Sequence, residues 1–545
     1  MADALIEQVR RWLADDPDPV TRAELQTMLD GLPSTRADLA DRFGGVLTFG
    51  TAGLRGPMRA GPNGMNLAVV RQAAAGLMAW LAAADAVGPV VIGFDGRHGS
   101  RRFAEETARV ATGVGRPALL LPRELPTPVL AHAVRALGAC AGVMVTASHN
   151  PPQDNGYKVY LGAGLGGPAG DGAQIVPPAD AGIEAAIRSV GPLTAIPLGE
   201  GGQVLDESIV ESYVDGAVAT LGAGPRDGLR VAYTAMHGVG AAVLAGAFER
   251  AGFGRPASVS EQERPDPAFP TVAFPNPEEP GAMDLLLALA QSDRADIAIA
   301  NDPDADRCAV AIPETGGWRA LRGDEVGVLL ADHLMRRSVR GTYATTVVSS
   351  SLLKALCRVR GIPYGETLTG FKWIVRAAED LAYGYEEALG YCVAPDHVRD
   401  KDGITAALLV AELAAGLKRD GHTLADRLDE LAAEFGVHVT DQLSVRVAEL
   451  SAIDALMARL RESPPGQLRG EIVHSVRDLA PDADVVILRS ATGRVVVRPS
   501  GTEPKLKAYL EIVEPVGGAG VPAARARAGA AMTALRTEVA AALGL

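Results

Sequence analysis

Ser148 sits in the run Val143-Met144-Val145-Thr146-Ala147-Ser148-His149-Asn150, where apolar residues give way abruptly to hydroxyls, an imidazole and an amide. Sequence of this kind ends a buried strand, and Pro151 and Pro152 close the turn after it. Ligands of open α/β sheets bind beyond the carboxyl ends of strands, so Ser148 is displayed where a nucleophile is useful. Taken alone, the run describes a polar turn equally well. A second loop, Asp302-Pro303-Asp304-Ala305-Asp306-Arg307, alternates three carboxylates behind the apolar run Asp296 to Ala300. Oxygen ligands so arranged suit a hard cation such as Mg²⁺, Mn²⁺ or Ca²⁺, and without one the carboxylates repel each other. An EF-hand fails here, because its sixth position is Arg307 and its twelfth Pro313. A third loop, Arg498-Pro499-Ser500-Gly501-Thr502-Glu503-Pro504-Lys505, joins hydroxyls, a glycine and cations in the manner of an oxyanion cradle, and lacks the Walker pattern. A displayed serine, a metal loop and a separate phosphate cradle together describe phosphoryl transfer through a covalent phosphoserine.

The elements that hold these loops follow from the apolar pattern. Strand-then-helix units are expected at Val90 to Phe94 with a helix near Arg101 to Thr112, and at Ala118 to Leu121 with a helix near Pro128 to Leu137. Gly142 to Val145 then leads into the Ser148 loop, and this alternation implies a largely parallel sheet. A second α/β unit begins with Leu229 to Tyr233, whose Thr234-Ala235-Met236-His237 echoes Thr146-Ala147-Ser148-His149 just after a strand and suggests internal duplication; His237 itself reads as structural. A third has a strand at Thr345 to Val348, loops at Thr369 to Trp373 and Tyr385 to Asp402, and a long helix from Gly403 to Leu417. After Val437, strands flanking a Thr492-Gly493 turn suggest antiparallel pairing and an α+β domain. Asp95-Gly96-Arg97 reads either as support for the serine loop or as an aspartate-capped turn.

The 545 residues, 48% apolar, suffice for three or four domains. The apolar stretch Ala73 to Ala84 is too short for a membrane span, and the acidic N-terminus lacks a secretory signal, so a cytoplasmic location is expected. Cys140, Cys308, Cys357 and Cys392 lack metal or disulfide spacing, and a net charge of −14 without a basic run excludes nucleic acid as the expected partner.

TASHNP with NGYK, DPDADR, and RPSGTEPK resemble the signature loops of the α-D-phosphohexomutase superfamily, the phosphoglucomutases and phosphomannomutases, in the family's order. The resemblance implies three similar α/β domains with mixed or parallel sheets and a C-terminal α+β domain around one cleft. Their expected bounds are 1–200 (phosphoserine), 201–316 (metal), 317–436 (sugar recognition) and 437–545 (phosphate). It implies that Ser148 carries the phosphoryl group and that Asp302, Asp304 and Asp306 hold one Mg²⁺ with a phosphoserine oxygen. Lys158 matches the general acid/base, Arg55 and Arg307 match cations near the reacting phosphate, and Arg498, Ser500, Gly501, Thr502 and Lys505 match the loop gripping the other phosphate. The usual GE(M)SGH sugar loop reads Glu386-Glu387-Ala388-Leu389-Gly390-Tyr391, retaining Glu387 but replacing serine and histidine by Leu389 and Tyr391. This loop, with FGTAGLRG, TGFKW and DKDG, is more similar to the phosphopentomutase and glucose-1,6-bisphosphate synthase subgroup beside bacterial phosphomannomutase-like members, and makes Lys372 and Lys401 candidate sugar or phosphate contacts.

The activity implied is interconversion of sugar 1-phosphate and 6-phosphate, of glucose, mannose or both, with glucose 1,6-bisphosphate or a similar compound as activator. Phosphopentomutase or bisphosphate synthase activity is the alternative within the family. A sugar-phosphate phosphatase is the rival outside it, disfavoured because hydrolysis needs no second anion site. For Lys158 to serve as acid and base its pKa must be drawn towards neutrality. His149, next to Ser148 on an extended segment, is expected to diverge from it and to steady the phosphate or the loop.

Overall fold

The apolar, β-branched runs of the first third form strands because helices cover both of their faces, leaving Val90–Phe94 and Ala141–Val145 buried at every residue. In this computed structural model, which describes residues 2–50, 53–447, 450–500 and 505–543, they pair in parallel with each other and with Ala118–Leu120, connected through helices Ser100–Gly113 and Thr127–Ala136. The sheet as a whole is mixed rather than largely parallel. Beyond the Ser148 turn the chain returns at once as Asp154–Leu161, antiparallel to Ala141–Val145, and Leu54–Pro57 adds antiparallel on its far side. So short a turn permits only antiparallel return, since a parallel crossover needs a dozen or more residues. The NGYK element is therefore strand, and Lys158 is carried by a rigid neighbour of the serine strand.

In the second sheet Val231–Thr234 and Ile297–Ala300 are parallel, and Ala309–Glu314 folds back antiparallel beyond the aspartate loop. In the third, Thr342–Thr346 lies in parallel between Tyr364–Thr367 and Leu381–Glu386, so the strand expected at Thr345 to Val348 starts and ends earlier. Thr369 to Trp373, expected as loop, runs into a short helix, Phe371–Ile374. The fourth sheet is wholly antiparallel, with Val437–Arg446 and Gly493–Pro499 flanking Lys505–Glu514, a ten-residue strand that the apolar pattern did not reveal. Helices Leu450–Glu462 and Gly520–Ala542 accompany that sheet. Before the first sheet stand three helices, Ala2–Asp15, Pro19–Asp30 and Arg36–Phe43, with a small core of their own around Leu25 and Leu39.

Two features of packing bear on function. Helix Gly403–Arg419, capped by Asp402 and buried along most of its length, spans the second and third units. Its first residue admits only glycine, since a Cβ there would lie 2.2 Å from the carbonyl oxygen of Arg307. The fourth sheet docks on the turn after Thr342–Thr346 through Val347, Val348, Ile487, Val496 and Tyr509. There the buried pair Arg494–Glu511 is 3.0 Å apart, and Arg494 donates to the carbonyls of Val347 and Ser349. The four cysteines are buried free thiols. Among the described residues no helix is long and apolar enough to cross a membrane.

Candidate active site

The turn at Ser148 is built by burial of polar groups that satisfy one another. Ser148 takes the left-handed conformation, φ +51°, which a non-glycine residue adopts only under external restraint. Its N–H donates to Thr146 Oγ1 at 2.8 Å, and that hydroxyl donates to Asp95 Oδ2 at 2.6 Å. Arg97, its side chain 1% exposed, donates to the carbonyls of Ser148, Asn150, Pro151 and Asp154 and faces Asp95 at 3.4 Å. Both readings of Asp95-Gly96-Arg97 hold: the aspartate caps its own turn through the Arg97 N–H, and the arginine pins the serine loop.

Ser148 Oγ, so held, donates to Asp302 Oδ2 at 2.7 Å and lies 3.1 Å from His149 Nδ1. The imidazole does not diverge from the serine, because a left-handed residue 148 breaks the alternation an extended segment would impose. Burial lowers the His149 pKa well below its usual value, reinforced by Arg307, Arg55 and Lys401, so the ring is neutral. Arg55 donates to Asn150 Oδ1 at 3.1 Å. Gly53 before it has φ +80°, and a Cβ there would meet the Tyr157 carbonyl oxygen at 1.9 Å.

The aspartate loop receives groups from the units on either side. Lys158 Nζ lies 2.8 Å from Asp304 Oδ2 and 3.1 Å from Asp306 Oδ2; Lys401 Nζ reaches the same Asp306 oxygen at 3.1 Å; Thr127 Oγ1 donates to Asp304 Oδ2 at 2.7 Å. Burial disfavours charge on all three carboxylates. Asp302, next to Asp304 and Asp306, is pushed well above the carboxylate range, whereas Lys158, Lys401 and Arg307 hold Asp306 below it. Burial also works against the Lys158 ammonium, but Asp304 and Asp306 outweigh it and raise its pKa. The expected shift of Lys158 towards neutrality is thus reversed by these two carboxylates. Arg307 reaches Glu278 at 3.4 Å.

The triplet fits a hard divalent ion. One oxygen from each carboxylate lies within 4.8 Å of the others, and Asp304 Oδ1 and Asp306 Oδ1 are buried without any hydrogen-bond partner. Mg²⁺ binds oxygen at about 2.1 Å, so ligands about 3–4 Å apart surround it after slight contraction.

The remaining candidates lie around this centre. Glu387 accepts from Ser349 and Thr346 hydroxyls at 3.1 and 3.3 Å, and burial, with Glu386 and Asp324 nearby, raises it to about 7. Leu389 and Tyr391 are buried, the tyrosine hydroxyl donating to the Gly323 carbonyl. Arg498 lies beside Tyr509 and Ser500 N–H donates to the Lys505 carbonyl, while Gly501 and Thr502 lie outside the described residues. Lys372 makes its contacts elsewhere, with its ammonium 5.4 Å from the Trp373 ring centroid and a pKa lowered by burial to about 8. Sequence reasoning missed Thr127, which no motif marks, and the meeting of Lys401 with the aspartates.

A serine aimed at an aspartate triplet that two buried lysines share, at the junction of three α/β domains with a fourth docked alongside, defines a phosphosugar mutase. The four domain signatures of the phosphoglucomutase/phosphomannomutase family match residues 46–191, 211–316 and 322–435 (alpha/beta/alpha domains I to III) and 443–527 (C-terminal domain). A Haemophilus influenzae protein named probable phosphomannomutase is 46% identical over 457 residues, covering 82% of this chain and 93% of its own. The phosphopentomutase of Mus musculus is 34% identical over 584 aligned residues, covering 94% and 91%. The solved structure of a phosphoglucomutase/phosphomannomutase family protein from Burkholderia thailandensis shares the fold, with TM-score 0.69 and 20% identity over 90% of this chain and 96% of that one. The chain belongs to the phosphoglucomutase/phosphomannomutase family.

Proposed function

We propose that the enzyme interconverts the 1- and 6-phosphates of glucose, mannose or both through phospho-Ser148 and a bisphosphorylated sugar, with glucose 1,6-bisphosphate or a similar compound as activator. The observation that carries this reading is the Ser148 hydroxyl, 2.7 Å from an aspartate whose two neighbours each keep a buried oxygen unpartnered. Asp302, Asp304 and Asp306 would hold Mg²⁺, which when bound neutralises charge on the reacting phosphoryl group and relieves Lys158 of the carboxylates that keep it protonated. When the phosphoryl group passes from the serine oxygen to a sugar hydroxyl, that hydroxyl loses a proton and Oγ gains one; when the other phosphate returns to the serine, Oγ loses the proton and the sugar oxygen gains it. Lys158, on the strand beside Ser148, is the group to hold that proton, and neutral His149 is the nearest other base. Arg55 and Arg307 supply charge to the reacting phosphate, and Lys401 both fixes Asp306 and reaches the sugar or its phosphate. Arg498, Ser500, Gly501, Thr502 and Lys505 grip the other phosphate without regard to sugar orientation, while Glu387, half protonated near pH 7, accepts from or donates to hydroxyls shared by both orientations. Lys372 is a further phosphate contact once substrate is bound.

A second reading, phosphopentomutase or bisphosphate synthase, is favoured by the 94% of this chain that the mouse phosphopentomutase matches and by Leu389 and Tyr391, which offer the sugar no polar group. A coupled assay over glucose 1-phosphate, mannose 1-phosphate and ribose 1-phosphate with trace bisphosphate separates the two. Ser148→Ala should abolish turnover of every substrate together with the phosphopeptide containing residue 148. Orthophosphate release without isomer formation would instead identify a phosphatase.

A further inference from the structure

The aspartate loop occupies the carboxyl end of Ile297–Ala300, which runs parallel to Val231–Thr234. At the opposite ends of the same strands lies a cavity of about 350 Å³, within the range of about 300–1,000 Å³ that small-molecule sites occupy. Trp318 and Leu424 contribute to its apolar wall; Arg230, Arg294 and Lys418 line it with positive charge, against one carboxylate, Asp296. That carboxylate is already engaged, accepting from Lys418 Nζ and from the Arg230 backbone N–H, each at 2.7 Å. The guanidiniums of Arg230 and Arg294 form no ion pair or side-chain hydrogen bond among the described residues. On a chain of net charge −14 this is a local reversal of sign around a concave, partly apolar surface. Neither the phosphoserine site nor the phosphate cradle uses any of these residues.

We infer that this cavity is a binding site for a small organic anion, a carboxylate or phosphate attached to an aromatic or branched apolar body. The two unpaired guanidiniums receive the anionic group, and the Trp318–Leu424 side receives the body. The cavity abuts both elements that converge on the aspartates, Ile297 of the strand and Lys418 of the helix being part of its lining. Ile297–Ala300 runs directly into Asn301 to Arg307, and helix Gly403–Arg419, about 25 Å long, touches that loop with Gly403 and the cavity with Lys418.

The probe is 4-bromobenzoate, titrated calorimetrically and soaked into crystals, with glucose 1,6-bisphosphate present to fill the catalytic phosphate positions. A bromine anomalous peak is expected in the cavity. Affinity should fall at least about tenfold for the neutral isostere 4-bromobenzamide, and equally for the benzoate in an Arg230→Glu/Arg294→Glu variant, whose exposed substitutions leave the core untouched. No saturable binding, no peak in the cavity, or an affinity indifferent to the charge of the probe overturns the inference, as does indifference to the charge of the wall.

Discussion

Arg97→Met tests how the serine is aimed. The arginine donates to four loop carbonyls at 2.5 to 3.1 Å and opposes Asp95 at 3.4 Å, with both side chains 1% exposed. Methionine keeps much of the stem's bulk and removes the charge, so four carbonyls lose a donor and Asp95, whose pKa burial already raises, loses its counter-charge in the interior. Breaking one half of a buried pair costs about 3–5 kcal/mol. Adding Asp95→Asn removes the stranded charge, and the double variant should recover about 1–3 kcal/mol relative to the sum of the single losses. A serine loop so released no longer holds φ +51° at residue 148, and misplacement by about 1 Å costs about 100-fold in rate. Steady-state kinetics, urea unfolding and hydrogen exchange over residues 146–154 measure these effects together. The expected pattern is a kcat lower by about 100-fold, a KM close to that of the parent, and faster exchange confined to the loop. A kcat within about twofold of the parent would refute the reasoning, as would additive losses in the double variant.

Other outcomes follow from the same geometry. Asp306→Asn removes one ligand charge and should weaken Mn²⁺ binding, followed by electron paramagnetic resonance, by at least about tenfold; an unchanged affinity would place the ion elsewhere. Lys372, its pKa lowered by burial to about 8, is charged below that pH and neutral above it, so KM for the sugar phosphate should rise between pH 7 and 9. Lys372→Arg should flatten that rise, and a flat profile in the parent enzyme would remove Lys372 from the phosphate contacts. Arg494→Met removes the guanidinium from Glu511 at the fourth-domain contact, leaving it the donors of Ser350 and Ser351, and should speed tryptic cleavage ahead of Val437–Arg446. Small-angle scattering should show the radius of gyration falling when a bisphosphate binds; identical curves would argue against closure of this domain.

Chemistry carried by short contiguous segments was legible from residues alone, because Ser148 and the aspartates each lie within a few positions of a strand end that the apolar pattern marks. Lys158 was legible as a site residue but not as part of a strand, since NGYK holds an asparagine and a glycine that read as turn while flanking strands impose pairing. Arg97 could be noticed and not assigned, as its four acceptors are backbone atoms some fifty residues away that leave no mark on composition. The proximity of Lys401, a candidate sugar or phosphate contact by its motif, to Asp306 is set by the packing of helix Gly403–Arg419 and leaves no mark in the sequence. The repeat of Thr-Ala-x-His does recur in space. Thr234 Oγ1 accepts the Met236 N–H at 3.0 Å as Thr146 accepts that of Ser148, with Met236 at φ +47° in the serine's place.

The aspartate loop belongs by chain to the second domain, yet the ammonium groups closest to it come from the first and third. During synthesis Asp306 leaves the ribosome well before Lys401 exists. A nascent chain holding only the first two domains therefore carries an anionic knot with Lys158 as its one ammonium partner. The third domain or a captured ion relieves the remaining repulsion, so truncated or split versions of this chain should demand more magnesium to fold than the intact polypeptide.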